Sequence, residues 1–116
     1  MAVRATKFLT IKKDMANLIA SGRKIFEARS QHSPRVDGVD IGTRIGFHWY
    51  GRERVTATVS EVHYVQDLAF MVYNFPELYP DQSPQDTFVT WHSMVLGLIA
   101  ARLCVLELKH DNILSR

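Results

Sequence analysis

The stretch "ASGRKIFEAR", residues 20–29, reads as the end of a helix running straight into a strand. Gly22 is the natural stop, because a residue without a Cβ takes the left-handed conformation that closes a last helical turn. Beyond it, Lys24, Glu27 and Arg29 put three ionisable groups into a segment that also carries Ile25, Phe26 and Ala28. Side chains alternate along a strand, so Phe26 and Ala28 share one face while Ile25, Glu27 and Arg29 share the other. Charge on that face has two readings. Either it decorates a solvated surface as an ordinary weak ion pair, or it forms the polar wall of a pocket.

Upstream, "IKKDMANLIASG" (residues 11–22) places Ile11, Met15, Leu18 and Ile19 at i, i+4, i+7 and i+8, one helical stripe. "KFLTI" (7–11) before it has the β-branched and aromatic content of a first strand. Downstream, residues 31–43 are rich in turn formers and read as a loop. "RIGFHWYG" (44–51) then alternates, with Ile45, Phe47 and Trp49 on one side and Arg44, Gly46, His48 and Tyr50 on the other. After a tight connection, "RVTATVSEVHYV" (54–65) alternates until its phase slips at Ser60–Glu61, which predicts a bulge.

"DLAFMVYNF" (67–75) has helical spacing, and "PELYPDQSPQD" (76–86) is a loop with three prolines. Asp86 is expected to cap a helix whose stripe is Phe88, Trp91, His92 and Val95. "LIAARLCVLELK" (98–109) is almost wholly apolar, as a strand covered on both faces should be. Few helices and hairpin-like strand connections indicate α+β: a small curved sheet or β-barrel with flanking helices, spanning 1–116 as a single domain.

An apolar fraction of 47% suffices for a conventional core. Cys104 is the sole cysteine and sits in the closing apolar run, so it reads as a buried core residue and not as half of a disulfide. No signal-peptide pattern and no apolar stretch near 18 residues is present, which points to no membrane association and a cytoplasmic location. Residues 1–35 hold eight Lys/Arg and two acidic residues, an excess of six positive charges, while the remainder holds six basic and ten acidic, an excess of four negative. Unless the two parts interleave in space, one face is positive and its partner anionic, with nucleic acid the commonest candidate.

Gly-rich phosphate loops, nucleophile elbows, paired cysteines and His-x-x-x-His spacing are all missing, and the five histidines are widely scattered. Neither a metal nor a cofactor is expected. Glu27 and Arg29, two apart, are placed to pair and to orient a ligand: the carboxylate accepts from an amino or imino group while the guanidinium holds phosphate or carbonyl oxygen. Lys24 lies at the helix-to-strand junction. His48 and Tyr50, opposite an apolar face, either meet solvent or line a cleft with the charged strand. Trp49 and Trp91 fall on apolar stripes and read as core.

At these residues the sequence resembles the ASCH domain, a PUA-like family. The resemblance rests on "LIASGRKIFEAR" (18–29), "DIGTRIGFHW" (40–49) and "VTATVSEV" (55–62), a helix, a Gly-x-Lys turn, a strand carrying Glu-x-Arg and a later turn. Thr43 stands where the family usually has Asp. It implies a small β-barrel with a cleft beside the charged strand, and a role connected with RNA. Some bacterial members hydrolyse acetylcytidine, and ribonuclease activity is attributed to others. In the amidohydrolase branch the Lys of the turn, a Thr three residues on and a later Glu are catalytic. Lys24 matches the first, position 27 is Glu instead of Thr, and Glu77 lies in the region of the third.

Two expectations follow. In the first, a basic cleft lined by Lys24, Glu27, Arg29, His48 and Tyr50 binds RNA or a modified nucleoside, with phosphates on N-terminal cations such as Lys12 and Arg23. In the second, the same cleft is a metal-independent hydrolase in which Glu27 is general base and Lys24 stabilises the oxyanion. There, Lys24→Ala and Glu27→Gln abolish turnover and leave the melting temperature nearly unchanged.

Overall fold

The computed structural model describes residues 5–30, 36–65, 67–94 and 103–110. Along the chain run β1 (Lys7–Thr10), α1 (Lys13–Ala20), β2 (Phe26–Ser30), β3 (Arg44–Trp49), β4 (Arg52–Val65), α2 (Leu68–Asn74), a 3-10 turn (Pro76–Leu78), α3 (Pro84–Met94) and β5 (Leu103–His110). Residues 31–35 of the anticipated loop, Val95 of the last helical stripe and residues 98–102 of the closing run lie outside the described residues. The strands form one sheet in the order β1-β3-β4-β5-β2. β1 runs parallel to β3, and the other neighbours are antiparallel. The sheet curls strongly into a half-barrel with the three helices against it, an α+β fold.

β4 is the spine of the curl: it pairs with β3 along its first half and with β5 along its second. Its register to β5 shifts between Val59 and Glu61, the bulge its sequence phase announces. Such an extra residue bends the strand and raises its twist. A second shift, between Phe47 and His48, leaves Arg54 without an opposite number. The inner face of the curl buries Leu9, Ile45, Phe47, Val59 and Leu106 against Ala16 and Ile19 of α1. Phe26, Ala28, Leu103 and Val105 pack with Met71, Val72 and Leu78 in a second cluster. β5 is therefore covered on both faces, and Cys104 is buried within it.

α1 ends where Gly22 takes a φ of 81° and Arg23 and Lys24 both donate backbone N–H to the Leu18 carbonyl, each at 3.0 Å. A Cβ added at Gly22 meets no atom within 4 Å. Gly22→Ala therefore tests conformation alone, and urea unfolding should show a loss of about 1 kcal/mol from the left-handed backbone. α3 begins earlier than expected. Ser83, not Asp86, is its cap: the Ser83 hydroxyl accepts from the Asp86 N–H at 3.1 Å, and its carbonyl accepts from the Thr87 N–H at 3.0 Å. Pro84 supplies the preset φ of a first helical residue, leaving Asp86 in the first turn where a negative charge favours the dipole. Thr87 is buried in α3, and His92 is exposed, stacked on Phe88 at 5.7 Å between ring centroids.

Candidate functional site

The curl brings the two edge strands, β1 and β2, within reach of each other. Arg29 on β2 donates from Nη2 to the Thr10 carbonyl at the end of β1, at 2.8 Å. At this seam lies a cleft of about 540 Å³, walled by Thr10–Lys12 and the start of α1, by β2, and by Tyr79, Gln82 and Trp91 from the segment before α3 and from α3 itself. That volume falls in the range of small-molecule sites.

Strand register decides which way the charges point. Glu27 sits opposite Leu106 and Arg29 opposite Cys104. Directly opposed residues share a face, so both ionised side chains share the side of the sheet that carries the inner core. Phe26 and Ala28 turn to the second cluster. Glu27 is 8% exposed, with Oε2 accepting from Arg29 Nε at 2.8 Å and lying 2.7 Å from Arg29 Nη2. Its Oε1 lies 3.3 Å from Lys24 Nζ.

Lys24 is 2% exposed and donates to the carbonyls of Phe26 at 2.7 Å and Leu78 at 2.5 Å. With Glu27 it therefore has three acceptors, one for each ammonium N–H. The Tyr79 ring centroid is 5.0 Å from the same nitrogen. Burial lowers the Lys24 pKa, and the charge and hydrogen bond of Glu27 act against that shift. Burial and the Glu27 charge raise the Tyr79 phenol, with the Trp91 indole N–H and Arg29 opposing. The Trp91 Nε1 is buried, near enough to influence that phenol, yet closes no hydrogen bond with a described residue. Burial likewise raises the Cys104 thiol, which keeps it unreactive.

Of the residues singled out from sequence, Lys12, Lys24, Glu27 and Arg29 come together in the cleft. Arg23 lies outside its lining, in an exposed ion pair with Asp81. His48 and Tyr50 do not line it either. His48 packs edge-on against Phe8, 5.1 Å between centroids, with Nε2 3.7 Å from Glu53 Oε1. Tyr50 stands at the tip of the β3–β4 hairpin. His48 follows Phe47 on the strand and is only half-buried, and Tyr50 lies beyond β3 in a left-handed turn, so neither reaches the cleft, which opens on the inner side. Glu77 is exposed in the 3-10 turn and is not among the lining residues. A further ion pair, His63 Nε2 to Glu107 Oε1 at 3.0 Å, lies on the face opposite the cleft charges.

Three lining residues, Tyr79, Gln82 and Trp91, escaped the sequence reading; an aromatic amid the prolines of 76–86 was the available signal for the first. The burial of Lys24 and Glu27 also corrects the expectation that their replacement leaves stability untouched. Each holds several partners away from water, so each removal is felt by the fold. Three cations (Lys12, Lys24, Arg29) and two carboxylates (Asp14, Glu27) line the cleft, one positive charge in excess.

The strongly curled sheet with its flanking helices is a fold shared with solved ASCH domains. No known sequence family matches the chain, and no curated protein does. Among solved structures it is similar to the hypothetical protein PH0355, at 15% identity and a TM-score of 0.73 over 88% of this chain and 95% of that one. It is similar to protein PF0455 from Pyrococcus furiosus, at 14% identity and a TM-score of 0.69 over 91% of this chain and 97% of that one. The ASCH protein from Zymomonas mobilis aligns at 17% identity and a TM-score of 0.61, over 88% of this chain and 65% of its own. At these identities the likeness is one of fold.

Proposed function

We propose that the cleft binds an unpaired nucleobase, in RNA or in a modified nucleoside. The observation that carries this reading is the ion cluster of buried Lys24 and Glu27 with half-buried Arg29, at a cleft whose wall holds Tyr79 and Trp91. Burying charge is costly, and such clusters concentrate where a ligand is to be oriented. Glu27 Oε1, with only the longer Lys24 contact, has acceptor capacity left for an N–H on a base edge. The aromatic side chains offer a stacking surface, and Lys12 and Arg29 suit phosphate.

Titration with cytidine, acetylcytidine and a short unstructured RNA, followed by tryptophan fluorescence, tests this. With two phosphate contacts, RNA affinity should fall about 25-fold for a tenfold rise in salt, and nucleoside affinity should barely change. Absence of binding by all three ligands overturns the reading. The same mixtures, analysed for cytidine released from acetylcytidine, test the hydrolytic reading. Against that reading stands Lys24, whose three donors already have acceptors within the fold.

A further inference from the structure

Tyr50 has a φ of 52°, the only positive φ of a non-glycine residue among those described. Gly51 follows at 75°, so both central residues of the two-residue hairpin loop are left-handed. That is the I′ pattern, for which Asn-Gly is the low-energy sequence and a bulky first residue is strained. Burial does not offset the strain: Tyr50 is 85% exposed, and its ring meets Trp49 edge-on at 4.7 Å between centroids. Phe8, Tyr64, Phe70 and Tyr73 are also exposed, but on ordinary backbone. A strained, solvent-presented aromatic ring is the kind of outlier that marks a contact surface.

Its position adds the second half of the argument. β1 and β3 are parallel, Thr10 pairs with His48, and the Ile11 N–H donates to the His48 carbonyl at 2.9 Å. The end of β3 thus lies beside the Thr10–Lys12 rim of the cleft. Lys12 and Lys13 are exposed on that rim, and Arg52, exposed, is the cross-strand partner of Trp49. Exposed cations thus stand on the neighbouring rim and on the second strand of the same hairpin.

We infer that the hairpin tip is a second base-stacking site, so that the ligand is single-stranded nucleic acid and not a free nucleoside; this rests on the cleft reading above. One base enters the cleft, the following phosphates meet Lys12 and Lys13, and a further base stacks on Tyr50 with Arg52 beside its backbone. Stacking on an exposed ring tolerates any base, because each has a π-face.

The test compares wild type, Tyr50→Asn and Tyr50→Phe, with cytidine and a short oligocytidine as probes. Tyr50→Asn should weaken oligocytidine about tenfold and leave cytidine affinity unchanged. It should also raise Tm by about 3 °C, since Asn accepts the left-handed conformation. Tyr50→Phe should bind as wild type. Equal oligocytidine affinity in wild type and Tyr50→Asn overturns the inference, as does a Tyr50→Phe protein as weak as Tyr50→Asn. Oligocytidine binding no tighter than cytidine in wild type overturns it and leaves the cleft reading standing; failure of both probes to bind removes both.

Discussion

Glu27→Gln is expected to abolish nucleobase binding and to lower stability by about 3 kcal/mol, or about 10 °C in Tm. The substitution keeps the shape of the side chain, so packing is not what it tests. It replaces one acceptor oxygen with an NH₂ group that has only donors to meet: Lys24 Nζ on one side and Arg29 Nε and Nη2 on the other. Whichever way the amide turns, a donor faces a cation, and the charge that holds both cations in place is gone. Circular dichroism melts and a cytidine titration read the two effects separately. Full stability with lost binding would return Glu27 to a purely ligand-facing role.

Lys24→Met should cost about 2 kcal/mol, smaller because the variant also escapes the desolvation of a buried ammonium. What it loses is the tie between β2 and the 3-10 turn, since Lys24 alone bonds the Phe26 and Leu78 carbonyls and Glu27 at once. Tyr79 follows Leu78 directly, so the aromatic wall of the cleft loosens with the tie. The pH dependence has a definite sign. The pKa of Lys24 in the fold lies below its ordinary 10.5. As pH rises between the two values the unfolded chain still holds the proton that the folded one has released, so the wild type gains stability there. Below the depressed value that gain is absent. Urea titrations across the alkaline window should therefore show the wild type drawing further ahead of Lys24→Met as pH increases, and a constant gap would contradict the assignment.

The periodic parts of the molecule were legible in the sequence. The stripe of α1, the alternation of β3 as far as Phe47, the bulge at Ser60–Glu61 and the two-sided covering of β5 each leave a local pattern. Trp49, expected in the core, lies beyond the register shift at Phe47/His48 and is half-buried against Tyr50 instead. Parity also put Glu27 and Arg29 together. It was silent on whether their face was wet, because that depends on β2 pairing with β5, a partner far away in sequence. The same limit misplaced His48: alternation says which residues oppose Phe47, but not which side of a curled sheet carries a cleft. Tyr50 falls in the left-handed hairpin turn, where alternation stops.

Tyr79 and Gln82 lie in a stretch without periodicity, positioned by the Lys24–Leu78 bond and flanked by the Arg23–Asp81 pair. No pattern within 76–86 encodes those partners. Trp91 was readable as apolar stripe and is indeed packed against the second core cluster, while also forming cleft wall. A side chain with two surroundings shows only one of them to a periodicity argument. The Ser83 cap was masked by Asp86, another good capping type three residues on; Pro84, at home in a first helical turn, is the feature that separates them.

The most direct test of the cleft is an NMR titration of the protein with cytidine, following backbone amides together with the Trp91 indole and Arg29 Nε–H signals. Saturable shifts concentrated at Glu27, Arg29, Tyr79 and Trp91 are predicted. Shifts confined to the far face of the sheet around His63 and Glu107, or none at any ligand concentration, would contradict the account.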